Sequence, residues 1–378
     1  MELQSVCIIG TGAAGCMCAY FLLKAGFEVT LIDYGAPLRT IIPTGGGRCN
    51  LAHAEYDFKE LAKNYPRGEK FLYSVFSKFS TYDTIALFEE LGIKTYCQDD
   101  GRIFPVSNNS KEVQSKILNN IHKAKFINEK VNKISKLENG YKIETNKSEY
   151  YFPIAIIATG GGLKNKAVSG LNHNIIPYKS SLVGLRFLES INLNGIVVKN
   201  VYSNDFKISG DILFTHFGIS GPLTYTISSI KANDEFPYSL SFDLHKEYFN
   251  FQQMLNSNPH KDLKNILSEL FPHRFAEYLL GEFSFQKACN INGKIRDAIL
   301  EKIHNFKVTV TGVDKGEETV TAGGYDLSEI NSKTMESKLY KNLYIIGEAL
   351  NIDGFCGGYN LQNAWSTANV AAQSIINK

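Results

Sequence analysis

Three consecutive glycines followed by an arginine, a cysteine and an asparagine occur early in the chain, in the stretch PTGGGRCN. Glycines without side chains let backbone amides approach an anion or a carbonyl closely, and Arg48 adds a fixed cation with forked donors. Asn50 offers both a donor and an acceptor. The thiol of Cys49 could act as a general acid and donate its proton. Alternatively, Cys49 is a small buried residue that packs under the ligand. The stretch therefore predicts a loop that holds a ligand against bare backbone.

A second glycine pattern, GTGAAG, follows the apolar stretch SVCII at the start of the chain. The helical stretch AAGCMCAYFLLK comes next, and the strand EVTLID then ends in Asp33. This order of strand, tight turn, helix, strand and acid is the fingerprint of a dinucleotide-binding unit. We expect Gly12 to let a pyrophosphate approach the backbone, Gly15 to let the helix pack on the strand, and Asp33 to accept from a ribose hydroxyl.

Two later stretches distinguish between the dinucleotides. YYFPIAIIATGGG predicts a buried strand that stops at Ala158 to Gly160, and LYIIGE predicts another that ends at Gly347 and Glu348. Gly357 and Gly358 then open a long helix toward the C-terminus. In two-domain flavoproteins the first and last segments meet in this way, with the N-terminus of the C-terminal helix directed at the flavin. NAD alone needs no such second contact, so FAD is the predicted cofactor.

Bulk composition narrows the class of protein. The chain has 378 residues, a formal charge of +2, 44% hydrophobic and 21% charged residues, which is typical of a soluble globular protein of two or three domains. Its seven cysteines are scattered without a CxxC pair, which predicts reduced thiols in the cytoplasm and neither disulfides nor a metal site. The first residues lead directly into a strand, so neither a signal peptide nor a membrane segment is predicted.

Six motifs occur in order along nearly the whole chain: GTGAAG, PTGGGRCNL, ATGGG, ILFTHFGISGP, TAGGYDLSEINSKTMESKL and GEALNIDGFCGGYNLQNAWSTA. Together they resemble the BaiN-like family of NAD(P)/FAD-dependent oxidoreductases. The resemblance implies an α/β fold, in which a Rossmann-like FAD-binding domain is built from both chain ends. A β-barrel-like domain carrying a small helical insert is expected to interrupt it.

The middle of the chain agrees with that organisation. Residues from about Tyr178 to Leu244 alternate like strands, the next sixty have a helical period, and FKVTVTGV returns to strand character. We therefore predict an FAD-binding domain at 1–175 and 321–378, a barrel-like domain at 176–245 and 305–320, and a helical insert domain at 246–304.

The resemblance also implies where FAD lies. The PTGGGRCN loop is expected to wrap the central part of FAD, and the backbone amides of Tyr359 and Asn360 to touch the isoalloxazine. The predicted cofactor-binding set comprises Gly10, Gly12, Ala13, Ala14, Gly15, Asp33, Tyr34, Gly45, Gly46, Gly47, Arg48, Cys49, Asn50, Val131, Ala158, Thr159, Gly160, Gly347, Glu348, Gly358, Tyr359, Asn360 and Leu361.

Reduction of a carbon–carbon double bond needs a proton as well as a hydride, so a general acid is expected near the flavin. Cys49 is the first candidate, and Cys356 in the second flavin loop is its rival. His216 lies in THFGISGP, just before a helix that Pro222 opens. It is expected either to line the substrate side of the flavin or to be a structural histidine.

The predicted function is that of an FAD-dependent oxidoreductase. Because one GxGxxG is present, either NAD(P)H docks briefly over the flavin or another reductant is used, and the resemblance implies NAD(P)H. The leading hypothesis is reduction of an activated double bond in a small molecule such as an enone. Alternatives are reduction of uridine to dihydrouridine in ribosomal RNA, an oxidase reaction, and a non-catalytic flavin-binding redox sensor. The helical insert has nearly balanced charge and hence no strong phosphate-binding footprint. No membrane partner is predicted.

Overall fold

The computed structural model describes residues 5–162, 168–314 and 320–378. It divides the chain into two units, which we call the first unit (Met1–Lys179 with Val320–Lys378) and the inserted unit (Ser180–Thr319). The first unit thus contains both ends of the chain. It has a Rossmann-type architecture, and the inserted unit contains a closed barrel. The predicted α/β fold class is confirmed.

The strands are β1 (Ser5–Ile9), β2 (Glu28–Asp33), β3 (Ala52–His53), β4 (Thr95–Cys97), β5 (Arg102–Pro105), β6 (Lys125–Asn128), β7 (Val131–Leu137), β8 (Gly140–Thr145), β9 (Glu149–Phe152), β10 (Ile154–Ile157), β11 (Ile175–Ser181), β12 (Leu185–Phe187), β13 (Val197–Ser203), β14 (Ser209–Phe214), β15 (Gly218–Ser220), β16 (Tyr238–Asp243), β17 (Phe306–Val313), β18 (Val320–Tyr325) and β19 (Leu343–Ile345).

The helices are α1 (Ala13–Lys24), α2 (Thr44–Gly47), α3 (Phe58–Ala62), α4 (Glu69–Phe76), α5 (Thr81–Glu90), α6 (Ser110–Asn120), α7 (Pro222–Ile230), α8 (Phe251–Ser257), α9 (Leu263–Leu267), α10 (His273–Leu280), α11 (Gly293–His304) and α12 (Tyr359–Ile376). Within the described ranges, none of these helices is both long enough and apolar enough to cross a membrane.

A five-stranded parallel sheet in the order β19–β10–β1–β2–β6 forms the centre of the first unit. Its central strands are apolar and buried on both faces, as expected of a parallel sheet covered by helices. Helices α1 and α12 pack against each other, and Trp365 of α12 is fully buried. The N-terminal fingerprint and the C-terminal helix therefore share one core.

The stretch YYFPIAII differs from the single buried strand that was predicted. It forms β9, which pairs antiparallel with β8, and β10, which joins the parallel sheet between β1 and β19. Pro153 separates the two strands. Proline has no backbone N–H to give to a ladder, so the chain changes sheets at this residue.

Helix starts follow the local sequence. Asp57 accepts from two backbone amides at the start of α3, Asn109 caps α6 and Asn292 caps α11. Ser80 and Asp83 form a capping box at α5. Pro222 occupies the first turn of α7 as predicted, where its missing N–H costs nothing.

The inserted unit is built on a closed barrel in the order β12–β15–β14–β13–β16–β17. Helices α8 to α11 lie between β16 and β17 in the chain. One hydrophobic cluster joins the barrel and these helices, and includes Phe214 and Phe242 of the strands with Phe275 and Ile303 of the helices. The bounds predicted for three separate domains remain a prediction.

Candidate functional site

The turn between β1 and α1 contains three glycines in two kinds of surroundings. A Cβ added at Gly10, where φ is +110°, would lie 2.2 Å from the carbonyl oxygen of Ala158. A Cβ added at Gly15 would lie 2.1 Å from the carbonyl oxygen of Gly10. A Cβ added at Gly12 would meet nothing within 4 Å. Gly10 and Gly15 therefore serve chain packing, and Gly12 leaves bare backbone facing open space at the N-terminus of α1.

Asp33 ends β2 beside this turn. The backbone N–H and the hydroxyl of Thr11 both donate to its Oδ2 at 2.8 Å, and the N–H of Tyr34 donates to Oδ1 at 2.7 Å. The carboxylate is thereby fixed next to the glycine turn. The Tyr34 side chain is exposed, and Val131 opens β7 and packs against the main core.

The short segment α2 is not a regular α-helix, because the three glycines of PTGGGRCN all adopt left-handed backbone conformations, with φ of 59°, 69° and 85° at Gly45, Gly46 and Gly47. Added Cβ atoms at Gly46 and Gly47 would meet nothing within 4 Å, whereas one at Gly45 would lie 2.6 Å from the Phe104 ring. The N–H of Cys49 donates to Thr44 O at 3.0 Å and closes the turn. Two successive residues of this loop therefore present bare backbone to open space, and its role in binding a ligand remains a prediction.

Arg48 and Asn50 carry unused polar groups in the same loop. The Arg48 guanidinium lies 4.0 Å from the centre of the Phe104 ring, and its Nε donates to Gly45 O at 3.0 Å. Arg48 forms no ion pair with a carboxylate in the part of the chain that the structure describes. Asn50 is 9% exposed, and its Oδ1 has no hydrogen-bond partner among the described residues. Both are groups that a bound ligand can satisfy.

The ATGGG stretch and the Gly347–Glu348 pair meet beyond β10 and β19. A Cβ at Gly160 would meet nothing within 4 Å, while one at Gly161 would lie 2.7 Å from Glu348 Oε1. The N–H of Thr321 donates to that same oxygen at 2.8 Å. Burial raises the pKa of Glu348 to about 7, the charge of Asp353 adds to this, and the Thr321 amide opposes it.

Gly347 links this corner to the first helix. Its N–H donates to the Thr367 hydroxyl of α12 at 2.9 Å, and an added Cβ would lie 2.7 Å from Ala14 Cβ. Ala14 and its neighbour Ala13 are buried at the start of α1. Ala158 directly follows β10 and its N–H donates to Ile9 O at 2.8 Å, and Thr159 comes next.

The N-terminus of α12 is held close to β3. A Cβ at Gly358, where φ is +103°, would lie 2.4 Å from Ala52 O. The side-chain amide of Asn360 both donates to and accepts from the backbone of Gly354, at 2.8 Å each way. The Tyr65 hydroxyl donates to Tyr359 O at 2.6 Å, and Leu361 packs against the core. The first-turn amides of Tyr359 to Leu361 have no partner within the helix and remain available to a ligand.

Every residue of the predicted cofactor-binding set lies in the first unit. The structure brings together the GTGAAG turn, the ATGGG corner and the Gly347–Glu348 pair, and it joins the PTGGGRCN region to the start of α12 through β3. The model of the HI0933-like protein Rossmann domain matches residues 4–374. The chain belongs to the HI0933-like family. This family is one of FAD-dependent oxidoreductases, and the match confirms the predicted flavoprotein class.

Three curated relatives of this HI0933-like chain extend the match. The ribosomal RNA dihydrouridine synthase of Escherichia coli is 32% identical over 403 residues, covering 100% of this chain and 99% of that protein. The ribosomal RNA dihydrouridine synthase of Haemophilus influenzae is 30% identical, covering 97% of each. The 3-dehydro-bile acid delta(4,6)-reductase of Clostridium scindens is 25% identical, covering 97% of this chain and 98% of that protein. The predicted membership of the BaiN-like family is confirmed.

FAD fits the residues that the HI0933-like chain presents. Backbone without side chains faces open space at Gly12, Gly46 and Gly160, which belong to three separate segments. The buried Asn50 acceptor lacks a partner in the described ranges, and the α12 N-terminus supplies free amides. A long dinucleotide with phosphates, hydroxyls and a ring with N–H and carbonyl groups can use all of these.

The two catalytic candidates lie in different units. Cys49 has no exposed surface, and burial raises the pKa of its thiol to about 12 against the opposing effect of a hydrogen bond from Thr44. His216 is exposed in the turn between β14 and β15 of the inserted unit, with its ring edge-on to Phe217 at 5.0 Å. The catalytic roles of both residues remain predictions.

The sequence did not single out two polar residues that lie near the start of α12, His53 and Arg102. His53 lies opposite Arg102 in the β3–β5 ladder, and its ring stacks on Tyr359 with centres 4.7 Å apart. The position of His53 three residues after the PTGGGRCN motif was the available signal. Arg102 carried none, because the ladder that brings it to His53 joins segments almost fifty residues apart.

Proposed function

We propose that this HI0933-like protein reduces a carbon–carbon double bond conjugated to a carbonyl group, with NAD(P)H as the reductant. FAD, when bound, supplies the hydride for that reduction. The observation that carries the proposal is the set of bare glycine surfaces at Gly12, Gly46 and Gly160 in one unit with the free amides of α12. Reductions of this kind are also what the names of the relatives describe, since dihydrouridine is uridine with its ring double bond reduced.

The chain's own residues bind and orient the cofactor in this proposal. The α1 N-terminus and Gly12 hold the pyrophosphate, because unpaired N–H groups and the helix dipole favour an anion there. Asp33 accepts from a ribose hydroxyl. Arg48 and the amide of Gly46 hold the middle of the molecule. The first turn of α12 stabilises negative charge on the pyrimidine edge of the ring.

A small-molecule enone is the first candidate substrate. The Clostridium scindens relative is named for reduction of double bonds in a 3-dehydro bile acid, in which the double bond is conjugated to a ketone. A formal charge of +2 over 378 residues also gives no general attraction for a polyanion.

Uridine in ribosomal RNA is the second candidate. Two relatives at 32% and 30% identity carry the name of ribosomal RNA dihydrouridine synthase, and each matches this chain over nearly its whole length. The double bond of uracil is conjugated to a ring carbonyl, so the same chemistry would serve both substrate classes.

Anaerobic reduction followed by mixing with acceptors tests the proposal. Holoprotein should lose its flavin absorbance when NADH or NADPH is added under nitrogen. The absorbance should return on mixing with cyclohexenone, or with ribosomal RNA from a strain that lacks the corresponding gene. Peroxide release with oxygen as the sole effective acceptor would instead show an oxidase. A protein that neither nicotinamide reduces would refute NAD(P)H as the reductant.

A further inference from the structure

Residues 353–358, which we call the α12 loop, present backbone N–H groups directly before α12. Among the described residues, the N–H groups of Cys356, Gly357 and Gly358 have no hydrogen-bond partner. Gly357 and Gly358 have φ of 139° and 103°, which residues with a side chain rarely adopt. These amides adjoin the first turn of α12, where the proposed function places the pyrimidine edge of FAD. Binding there depends on the direction of the N–H groups, and that direction depends on what holds the loop.

Arg67 and Asp353 form a buried ion pair at the start of the α12 loop. Nε of Arg67 donates to Oδ1 of Asp353, and its Nη2 donates to Oδ2, so the contact is bidentate. The Asp353 side chain has no exposed surface, and that of Arg67 is 12% exposed. The backbones of the two residues also pair in an isolated antiparallel β-bridge. Because a planar fork on a carboxylate fixes the orientation of both groups, this pair determines where the loop begins.

The segment that carries Arg67 contacts the α12 loop at two further points. The N–H of Phe355 donates to Asn64 O at 3.0 Å. The Tyr65 hydroxyl donates to Tyr359 O at 2.6 Å. This segment therefore contacts the loop at its start, in its middle and at its junction with α12.

Two other side chains bind carbonyl oxygens of the α12 loop. Nδ2 of Asn360 donates to Gly354 O at 2.8 Å. His53 Nδ1 lies 3.2 Å from Gly357 O, and because a carbonyl oxygen only accepts, Nδ1 carries the proton. These bonds fix two peptide groups of the loop without any contribution from a ligand.

We propose that Arg67 is a positioning residue for the cofactor, an assignment that rests on the proposed function. Through Asp353 it holds the α12 loop so that the N–H groups of the loop meet the pyrimidine edge of FAD. Negative charge on that edge is greater in reduced than in oxidised FAD, so aligned N–H groups bind reduced FAD more tightly. The ion pair thereby raises the reduction potential of the bound flavin.

A buried ion pair can also serve stability alone, and the choice of variants separates the two roles. Removal of one partner leaves a buried charge unpaired and destabilises the fold strongly, whereas replacement of both by apolar residues is often tolerated. The informative variants are Arg67→Lys, which keeps the charge but loses the fork, and the double variant Arg67→Met with Asp353→Leu. Lys63→Met is the matched control, since it breaks an exposed ion pair with Glu60 shortly before Arg67.

The first test measures the midpoint potential of the bound FAD by anaerobic titration against reference dyes. In Arg67→Lys and in the double variant, affinity for reduced FAD should fall about tenfold more than affinity for oxidised FAD. The potential should therefore fall by about 30 mV for the two-electron couple. Lys63→Met should keep the parental potential. Equal weakening of both redox states would leave the potential unchanged, which would assign the pair to stability alone and overturn the proposal.

The second test uses protein without cofactor and follows the α12 loop itself. Hydrogen exchange of the Phe355 amide, measured by mass spectrometry with single-residue fragmentation, reports whether the loop stays bound to Asn64. Exchange should become about tenfold faster in Arg67→Lys and in the double variant, while amides of the central strand β1 keep the parental rate. A parental rate at Phe355, or equal acceleration at Phe355 and in β1, would contradict a local role for the ion pair.

The two tests distinguish failure of this assignment from failure of the proposed function, because neither uses NAD(P)H or a double-bond acceptor. If the reduced parent protein transfers electrons to neither cyclohexenone nor ribosomal RNA, the proposed function fails, and the shift in potential is still measurable. If the parent is active and the potential is the same in all variants, the role of Arg67 is wrong and the proposed function stands.

Discussion

The GTGAAG turn and the PTGGGRCN loop are both glycine-rich, but their glycines lie in different surroundings. In the first, two of three glycines are pressed against backbone carbonyls, and Gly12 alone faces open space. In the second, Gly46 and Gly47 face open space, and Gly45 is pressed against a side chain. The difference shows that glycine has two roles here. It allows two segments of backbone to pack closely, and it gives a ligand access to main-chain amides. Substitutions that add a single methyl group can separate the two.

The largest effect is expected at Gly15. In Gly15→Ala the new Cβ would lie 2.1 Å from Gly10 O, a backbone atom that cannot move without disturbing β1. We expect the free energy of unfolding of the apoprotein to fall by about 3 kcal/mol or more, at the upper end of overpacking effects. Urea denaturation measures this. Gly12→Ala is the control, since its φ of −75° suits alanine and nothing lies within 4 Å. Equal destabilisation of the two variants would contradict the comparison.

The next effect is on cofactor affinity at Gly12. Gly12→Ala should weaken FAD binding on the order of 100-fold, equivalent to about 2.7 kcal/mol, because the methyl group occupies the space where we place the pyrophosphate. Stability of the apoprotein should change little. Titration of apoprotein with FAD, followed by fluorescence, gives the dissociation constant. Unchanged affinity would remove Gly12 from the binding surface.

A smaller effect is expected at Gly46. Its φ of 69° is left-handed, so Gly46→Ala should cost about 1 kcal/mol of apoprotein stability through backbone strain alone. Asparagine tolerates this region better than alanine, so Gly46→Asn should recover part of that loss. Thermal denaturation of the two variants side by side provides the measurement. Greater loss in the asparagine variant would indicate a steric cause instead.

The smallest effect concerns Glu348, the side chain against which Gly161 lies. Its pKa is about 7 in the folded protein against an ordinary value of 4.5, so the folded state keeps a proton that the unfolded state releases between these pH values. Unfolding free energy should therefore fall as pH rises from 4.5 to 7, by less than about 1 kcal/mol once partial exposure is allowed for. Glu348→Gln should lack this fall. Parallel pH series of urea denaturation on both apoproteins would reveal it, and identical slopes would contradict the raised pKa.

Much of the first unit could be predicted from local pattern. The buried strand SVCII, the glycine turn and the acid Asp33 occur within thirty residues, so their order alone indicated β1, α1 and β2. The Pro153 break was missed because a run of apolar residues masked a change of sheet. Which glycines are packed and which are open could not be predicted. That depends on atoms such as Ala158 O and Phe104, which reach Gly10 and Gly45 only in the folded chain.

The surroundings of the candidate catalytic residues were harder to predict for the same reason. Residue type suggested Cys49, with Cys356 as its rival, but the sequence did not show that Cys49 is fully buried, because burial depends on the whole core. Arg102 and Gly357 are more than 250 residues apart in the chain, and the ladder of β3 and β5 together with the His53–Gly357 hydrogen bond brings their segments together.

Trp365 is the single tryptophan of the chain, and its indole N–H donates to Leu51 O at 3.0 Å. Leu51 directly follows the PTGGGRCN loop, so the indole lies beneath the region where we place the cofactor. Indole emission overlaps flavin absorption. Ultraviolet fluorescence of the unlabelled protein should therefore dim as the site fills and brighten as it empties, so that occupancy can be followed without any added dye.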